Sequence, residues 1–454
     1  MNIAHFSTED INGGAAKAAY RLHSALRERG CDSWMVVRTR RSDDDDVYQV
    51  PPPPSPLGHA VWKRVKERIP IVGAKTPRAT YTYNFDLDPD IDQRKLFPFS
   101  QLKGPQGPGK KSARTGDAAT NTNTVDILCL HWVSQFLNTK LVRRLYDHYQ
   151  CPIVWILADQ DPLTGGCHYS FECEGYTKEC GRCPQLNSDD PNDRSHQTWR
   201  RRRQYLSGLP ICFVAPTTWG VKRVQQSSLF GGHRVESIPY PIDTSIFRPF
   251  DRNAARDLLR LPADKKLLFF GASYLEDRRK GMAQLVDALR ILAELIDSER
   301  RIEREEIFLL VAGRNARELM SKLPFAGTYA GHFNDDLTLA LAYQAADVFV
   351  CPSIEDAGPM MIPESMLCGT PVAAFDGTGA PDLVKSMQTG YLAVNGDARD
   401  LARGIYALLI SESPESLRRA AHNAATRSHA PALAAARHVD LYESLVAGYT
   451  KKRL

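Results

Sequence analysis

No run of apolar residues in this 454-residue chain approaches the roughly 18 needed to cross a bilayer, so an integral membrane protein is not expected. The opening stretch, MNIAHFSTED, has neither the basic start nor the apolar centre of an export signal, and a cytoplasmic location is the expectation. Net charge is small: 58 Lys and Arg against 53 Asp and Glu leave +5. That excess gives no reason to expect nucleic acid as a partner, while peripheral contact with an anionic membrane at its inner face stays compatible with it. Cysteine is sparse as well, with ten residues, and four of them crowd between 164 and 186. Thiols stay reduced in the cytosol, so such a cluster points to a metal before it points to disulfides. What is present is an ordinary globular composition, 43% hydrophobic, sufficient for the cores of two or three domains.

Short runs rich in β-branched and aromatic residues alternate with longer helical patterns. NIAHF precedes GGAAKAAYRLHSALRERG, in which Ala18, Ala19, Leu22, Ala25 and Leu26 recur at helical spacing and Gly30 closes the segment. SWMVV, VDILCLHW, CPIVWILAD and ICFVAPT continue this strand series, and KKLLFFGAS, EEIFLLVAG, DVFVCPS and PVAAFDG begin a second. Such alternation predicts two doubly wound α/β domains with parallel sheets. The proline-bearing SIPYPIDTSIFRPF marks a linker near 239–250, which sets the domains at 1–240 and 241–428. Within the first, about 42–124 carries DDDD, PPPP and a tract of small and polar residues, and is expected to form flexible insertions. Inside it LGHAVWKRVKERIPIVG mixes Trp62, Val65 and Ile69 with Lys63, Arg64, Lys66 and Arg68, which fits a helix on anionic lipid or a solvated helix at the domain edge.

Doubly wound domains bind ligands beyond the carboxyl ends of their strands, where the free N–H groups of the following helices face outward. Gly13 and Gly14 occupy such a loop after the first strand but do not form the GxGxxG fingerprint of dinucleotide sites. Backbone amides there can approach a phosphate or sugar closely, and a plain tight turn is the alternative. The richest loop is DVFVCPSIEDAGPMMIPESMLCGTPVAAF. Gly358 and Pro359 suit a helix start, and Gly369 and Pro371 its end. The helix start would face a diphosphate, while Asp356 and Glu364 accept hydrogen bonds from hydroxyls. The expected ligand is a nucleotide sugar, with Glu364 on the ribose and Glu355 or Asp356 on the transferred sugar.

PSIEDAGPMMIPESMLCGTPV resembles the signature of retaining family 4 glycosyltransferases with the GT-B fold. The GG loop, APTTWGVKRV, PIDTSIFRP, RRKG, YQAADVFVCPS, and GAPDLV followed by TGYL extend the resemblance over nearly the whole chain. TGGCHY and the CxxCP that follows it are similar to a subgroup of exopolysaccharide or colanic-acid-type transferases. The resemblance implies two Rossmann-like domains facing a cleft, an acceptor domain first and a donor domain second, with 429–454 as a helix crossing back to the first. It implies transfer of a hexose from a UDP-sugar or GDP-mannose to a glycan or lipid-linked glycan in bacterial surface polysaccharide synthesis, with no cofactor required.

By the same resemblance Lys280 and Arg279 hold the donor diphosphate, where a fixed cation stabilises the charge that develops on the leaving group. The donor set further takes in Gly13, Gly14, Gly271, Gly313, Arg314, Gly358, Pro359, Met360, Met361 and Glu364. The catalytic set is Asp356, Glu355, Glu364, His131 and Asp159. Relatives commonly carry His where this chain has Ala158, so Asp159, or else His168, is expected near the acceptor. Two further readings stand beside the transferase: a sugar-nucleotide epimerase of the same architecture and a non-catalytic glycan-binding homologue.

Cys167, Cys173, Cys180 and Cys183 are spaced C-x5-C-x6-C-x2-C. Four thiolates complete a tetrahedral shell and leave no position for an activated water, so a structural Zn(II) is the expectation. An iron–sulfur cluster with the same ligands and a pair of disulfides are the alternatives.

Overall fold

The computed structural model describes residues 1–52, 83–96, 125–314 and 317–453. The candidate amphipathic stretch at 57–73 lies outside them, as does much of the insertion expected at 42–124. The chain divides into two compact units. One holds Met1–Ala215, Val221–Glu236 and Ala435–Leu454, the other Pro216–Gly220 and Ser237–Ala434. Neither is a single stretch of sequence.

The first unit is built on β1 (Asn2–Glu9), α1 (Gly14–Glu28), β2 (Asp32–Thr39), β3 (Val47–Gln49), β4 (Ile127–Leu130), α2 (Thr139–Tyr149), β5 (Ile153–Ile156), α3 (Arg194–Leu206) and β6 (Ile211–Ala215). Helix α4 (Thr218–Gln226) and β7 (Val235–Ser237) follow. The sheet runs in the order β3-β2-β1-β4-β5-β6-β7, and β1 to β6 pair in parallel. Residues Ile3 to Thr8 of β1 are all buried, as a central strand covered on both faces requires. Helix α1 buries Ala16, Ala18, Ala19, Leu22, Ala25 and Leu26, the face its sequence period predicts, and ends where Gly30 takes φ +85°.

The second unit repeats the plan with α5 (Arg252–Leu258), β8 (Lys266–Tyr274), α6 (Met282–Glu299), β9 (Ile307–Arg314), α7 (Arg317–Met320), β10 (Gly327–Tyr329), α8 (Asp336–Ala345) and β11 (Val348–Cys351). Then come α9 (Met361–Leu367), β12 (Val372–Phe375), β13 (Gly390–Ala393), α10 (Ala398–Leu409) and α11 (Pro414–His429). Its sheet is parallel throughout, in the order β10-β9-β8-β11-β12-β13. Successive β8 residues alternate between two apolar layers, Leu268 and Phe270 in one and Leu267 and Phe269 in the other. Each such side chain contributes about 1.5–3 kcal/mol by leaving water.

The last helix, α12 (Pro431–Arg453), contributes its residues from Ala435 onward to the first unit. There Cys129 Sγ donates to Tyr442 Oη at 3.1 Å, and Tyr146 and Tyr449 share a hydroxyl hydrogen bond of 3.1 Å. Among the described residues no helix is long and apolar enough to cross a membrane.

Candidate functional site

Both sheets reverse their winding at one place, between β1 and β4 in the first unit and between β8 and β11 in the second. The loops leaving the carboxyl ends of those strands diverge and open a crevice, the usual ligand position in this topology.

In the second unit, the loop after β8 tightens into a single turn over Arg278–Lys280. Asp277 caps it, accepting from the Arg279 N–H at 3.0 Å and pairing with the Arg279 guanidinium at 2.6 Å. Gly281 then enters α6 at φ +65°, and a Cβ there would run into the Pro352 carbonyl oxygen, so only glycine lets the loops after β8 and β11 close on each other. Ile354 N–H completes this contact by donating to Arg279 O at 2.8 Å. Lys280 Nζ reaches Asp356 Oδ2 at 2.6 Å, with Arg279 3.9 Å away, and the Gly358 N–H donates to Asp356 Oδ1 at 3.2 Å. Burial works against ionisation of Asp356, yet Lys280 and Arg279 outweigh it and hold the carboxyl below its ordinary value. Glu355 and Glu364 are buried as well. Glu364 lies on α9 against Tyr343, whose phenol is driven well above its ordinary value by burial and by that carboxylate.

Helix α9 is only seven residues long. At 3.6 residues per turn it runs about two turns, between the Gly358–Pro359 and Gly369–Pro371 pairs expected to bound it, and the formal charge at this edge comes from Lys280 and Arg279. Pro359, Met360 and Met361 lead into α9. Gly271 and Gly313 serve the approach of β8 to β9, where a Cβ on either would meet the backbone carbonyl of the facing strand. Arg314 ends β9 with its guanidinium over the Tyr274 ring at 5.4 Å.

In the first unit, Gly13 caps α1 at φ +89° with open space around its Cβ position, and Gly14 is the first residue of the helix. These two thus belong to a different unit from the rest of the expected donor set. His131 follows β4, its N–H bonded to Phe6 O at 2.9 Å and its Nε2 2.9 Å from His5 Nδ1. Burial, together with His438 and His23, lowers the His131 imidazole to about 3. His131 also lines a recess with Trp132, Ser134, Ala158 and Asp159. Asp159 Oδ2 accepts from the Trp132 indole at 2.8 Å and faces His168 Nδ1 at 2.6 Å, and its Oδ1 accepts from the Asp161 N–H at 2.8 Å. Burial pulls the His168 imidazole down, but Asp159 and Asp161 outweigh it and leave the ring raised. Asp161 is engaged by Arg202 at 2.7 Å and by Asn84 at 2.8 Å, which ties the TGG loop to α3.

The cysteine loop hangs from the same segment. No disulfide joins any of the ten cysteines of the chain. The Gly175 N–H points at Cys173 Sγ at 3.4 Å, and backbone N–H groups of Gly165, and of Gln185 and Leu186, face the sulfurs of Cys180 and Cys183. Burial pushes the Cys180 thiol up to about 12 and raises Cys167 and Cys183 as well. Among the described residues no group of three or more His, Cys, Asp or Glu side chains is arranged to hold a metal ion.

Of the residues singled out in the sequence, Lys280, Arg279, Asp356 and Gly358 come together at one crevice, and His131 and Asp159 at another, while Glu364 is met by Tyr343. Sequence reasoning missed His5, Trp132 and Arg202. His5 carried one local signal, a titratable residue inside a strand otherwise built for burial.

Solved structures share this architecture. Sucrose-phosphate synthase from Thermosynechococcus elongatus covers 98% of this chain and 99% of its own at 18% identity, with a TM-score of 0.65. Anabaena HepE in complex with UDP and glucose covers 98% and 100% at 15% identity, with a TM-score of 0.61. The fold is thus the two-sheet GT-B architecture, with no closed barrel. In sequence, residues 251–427 match the family described as glycosyl transferases group 1. The match covers that stretch of the second unit, and together with the names of the relatives it indicates a hexosyltransferase. It is also similar to the putative colanic acid biosynthesis glycosyl transferase WcaC of Escherichia coli, at 25% identity over 403 residues and 85% of each protein. The phosphatidyl-myo-inositol mannosyltransferase of Mycobacterium leprae is 30% identical over 194 residues, 41% of this chain and 48% of its own.

Proposed function

We propose that the protein is a retaining hexosyltransferase of family 4 that takes a hexose from a UDP-sugar or GDP-mannose and adds it to a glycan or lipid-linked glycan during bacterial surface polysaccharide synthesis. The observation that carries this reading is the Lys280–Asp356 contact of 2.6 Å with Arg279 beside it, at the winding reversal of the second sheet. Two cations held by carboxylates suit a diphosphate, which would draw Lys280 and Arg279 onto its oxygens and free Asp356 for sugar hydroxyls. As the bond from sugar to phosphate breaks, these cations stabilise the charge on the leaving group. Glu364 serves the ribose and Glu355 or Asp356 the hexose. The leaving phosphate takes the acceptor proton, so no strong base is demanded of Asp159, His131 or the position of Ala158. The names of similar proteins support the reading: WcaC is assigned to colanic acid, and HepE is described with UDP.

The experiment is a thermal-shift screen of the full chain against UDP, GDP and ADP and their sugars, followed by an assay of nucleotide release. Binding to the folded state raises apparent stability, with the logarithm of ligand concentration once it exceeds Kd. Stabilisation by UDP or GDP sugars, with nucleotide release that requires an added glycan acceptor, is expected. Conversion of the sugar nucleotide without acceptor would replace transfer by epimerisation. Glycan binding without nucleotide binding would leave only a scaffold.

The loop of Cys167, Cys173, Cys180 and Cys183 is proposed to close on a structural Zn(II). Its support is the donor chemistry: four thiols in one loop, N–H groups aimed at three of the sulfurs, and a burial that makes bare thiolates costly until a dication offsets it. The metal's contribution there would be to fasten the loop, since four thiolates leave no coordination position open. Metal analysis of the reduced protein is expected to find about one zinc per chain. Freely titrating thiols without zinc or iron would refute this.

A further inference from the structure

The first unit buries four imidazoles close together: His5 on β1, His23 on α1, His131 beyond β4 and His438 on α12. The His5 and His131 rings stack at 5.2 Å with 23° between their planes, and His23 meets His5 edge-on at 5.8 Å. His5 is 0% exposed and His131 5%. The titratable groups around the pair are His23, with Asp44 at 3.8 Å and Arg27 beyond it, and His438, packed on Tyr442. No described carboxylate contacts either ring, and burial with the neighbouring imidazoles keeps both uncharged at neutral pH.

Two neutral rings sharing a hydrogen bond place one proton on the line between them, and either ring can supply it. If His131 Nε2 donates, His5 must carry its own proton on Nε2. That N–H would be buried with no partner. If His5 Nδ1 donates, the buried atom left alone is a lone pair. An orphaned buried N–H is the rarer arrangement in folded proteins, so the second proton placement is favoured.

We propose that His5 is a positioning residue: it donates from Nδ1 to His131 Nε2, fixes the His131 proton on Nδ1, and so presents an uncharged N–H donor to the recess of Trp132, Ser134, Ala158 and Asp159. The inference rests on the transferase reading for its ligand, a sugar oxygen that accepts this hydrogen bond. His131 then acts as a donor and not as a base. Trp132 and Asp159, joined at 2.8 Å, form the neighbouring wall of the recess.

Ring-nitrogen NMR of the 15N-labelled full chain reads the proton placement without needing turnover. Between about pH 6 and 8, His131 is expected to show a protonated Nδ1 and a bare Nε2, with neither signal titrating. His5→Asn, whose amide N–H can take the place of Nδ1, should keep that pattern. His5→Val should release His131 into a mixture of tautomers and lower kcat/KM by about three- to tenfold, the worth of one neutral hydrogen bond. A protonated Nε2 on His131 in the unmodified chain, or His131 signals unchanged in a folded His5→Val variant, would overturn the proposal. Should His5→Val fail to fold, the unmodified chain and His5→Asn decide it. The tautomer is read even if no nucleotide sugar binds, so failure of the transferase reading stays distinguishable.

Discussion

At the winding reversal of the second sheet, Lys280 and Arg279 face Asp356 and Asp277, whereas at the same place in the first sheet His5 and His131 meet as uncharged rings. The strand order around the two positions is alike, with the first strand of each sheet set beside the fourth. Topology therefore chooses where a ligand can sit, and the residues leaving the strands choose what it can be. Ions suit a diphosphate whose charge changes during reaction, while neutral donors suit hydroxyls whose charge does not. The first unit does hold charge beyond that reversal, in the Asp159–His168 and Asp161–Arg202 contacts, but there each charge is met by a partner within its own loop or on α3.

The strongest test of this contrast is removal of the cation. Lys280→Ala, folded by circular dichroism, is expected to lower kcat by about a hundred- to a thousandfold, the scale of losing one preorganised charge stabiliser. Steady-state kinetics with the identified donor reads it, and activity near that of the unmodified chain would end the claim that charge at this edge matters. Next comes the scaffold beneath the cation. Gly281→Ala must both abandon φ +65° and avoid Pro352 O, so a loss of about 2–3 kcal/mol in urea unfolding is expected. A substitution without cost would mean that the two loops are not held against each other.

The gentlest test uses pH. The His23 imidazole is lowered to about 4 and His131 to about 3, with His5 lowered too, against an ordinary 6.5. The unfolded chain gains protons as pH falls through 6.5 while these folded rings refuse them. Stability is therefore complete above 6.5 and declines down to about 4 for His23, at up to about 1.4 kcal/mol per pH unit for each ring. In the first unit His233 adds to this and His168, whose ring is raised, opposes it, while in the second unit His429 is on the lowered side. Asp356 adds nothing in that window, because a carboxyl held below its ordinary 3.8 loses its contribution only under more acid conditions. Amide exchange at pH 7 and pH 5 should show protection falling more in the first unit than in the second. Equal losses would break the comparison.

Much of this was legible residue by residue. The buried face of α1 followed from helical spacing, and the run DVFVCPS announced a strand buried on both sides. The crevice in the second unit was readable because Asp356 and Gly358 lie within one short stretch that also holds Glu355 and Glu364, with the adjacent Arg279 and Lys280 as its distant members. The first unit resisted such reading. His5 and His131 are separated by 126 positions, and Arg202 meets Asp161 across 41. No local pattern links those pairs, since strand pairing and helix packing bring them together. The ends of α9 were local too: the helix lies between Gly358 and Pro359 on one side and Gly369 and Pro371 on the other, as those residues mark it.

Periodicity acts over a few residues, so the kinds of elements, their alternation and the cluster of acids after β11 were fixed in the chain before folding. Which strands became neighbours, which segments each unit recruited, and which imidazole kept its proton required the folded molecule. Those outcomes depend on burial and on partners far away in sequence, and neither exists until the chain has closed on itself.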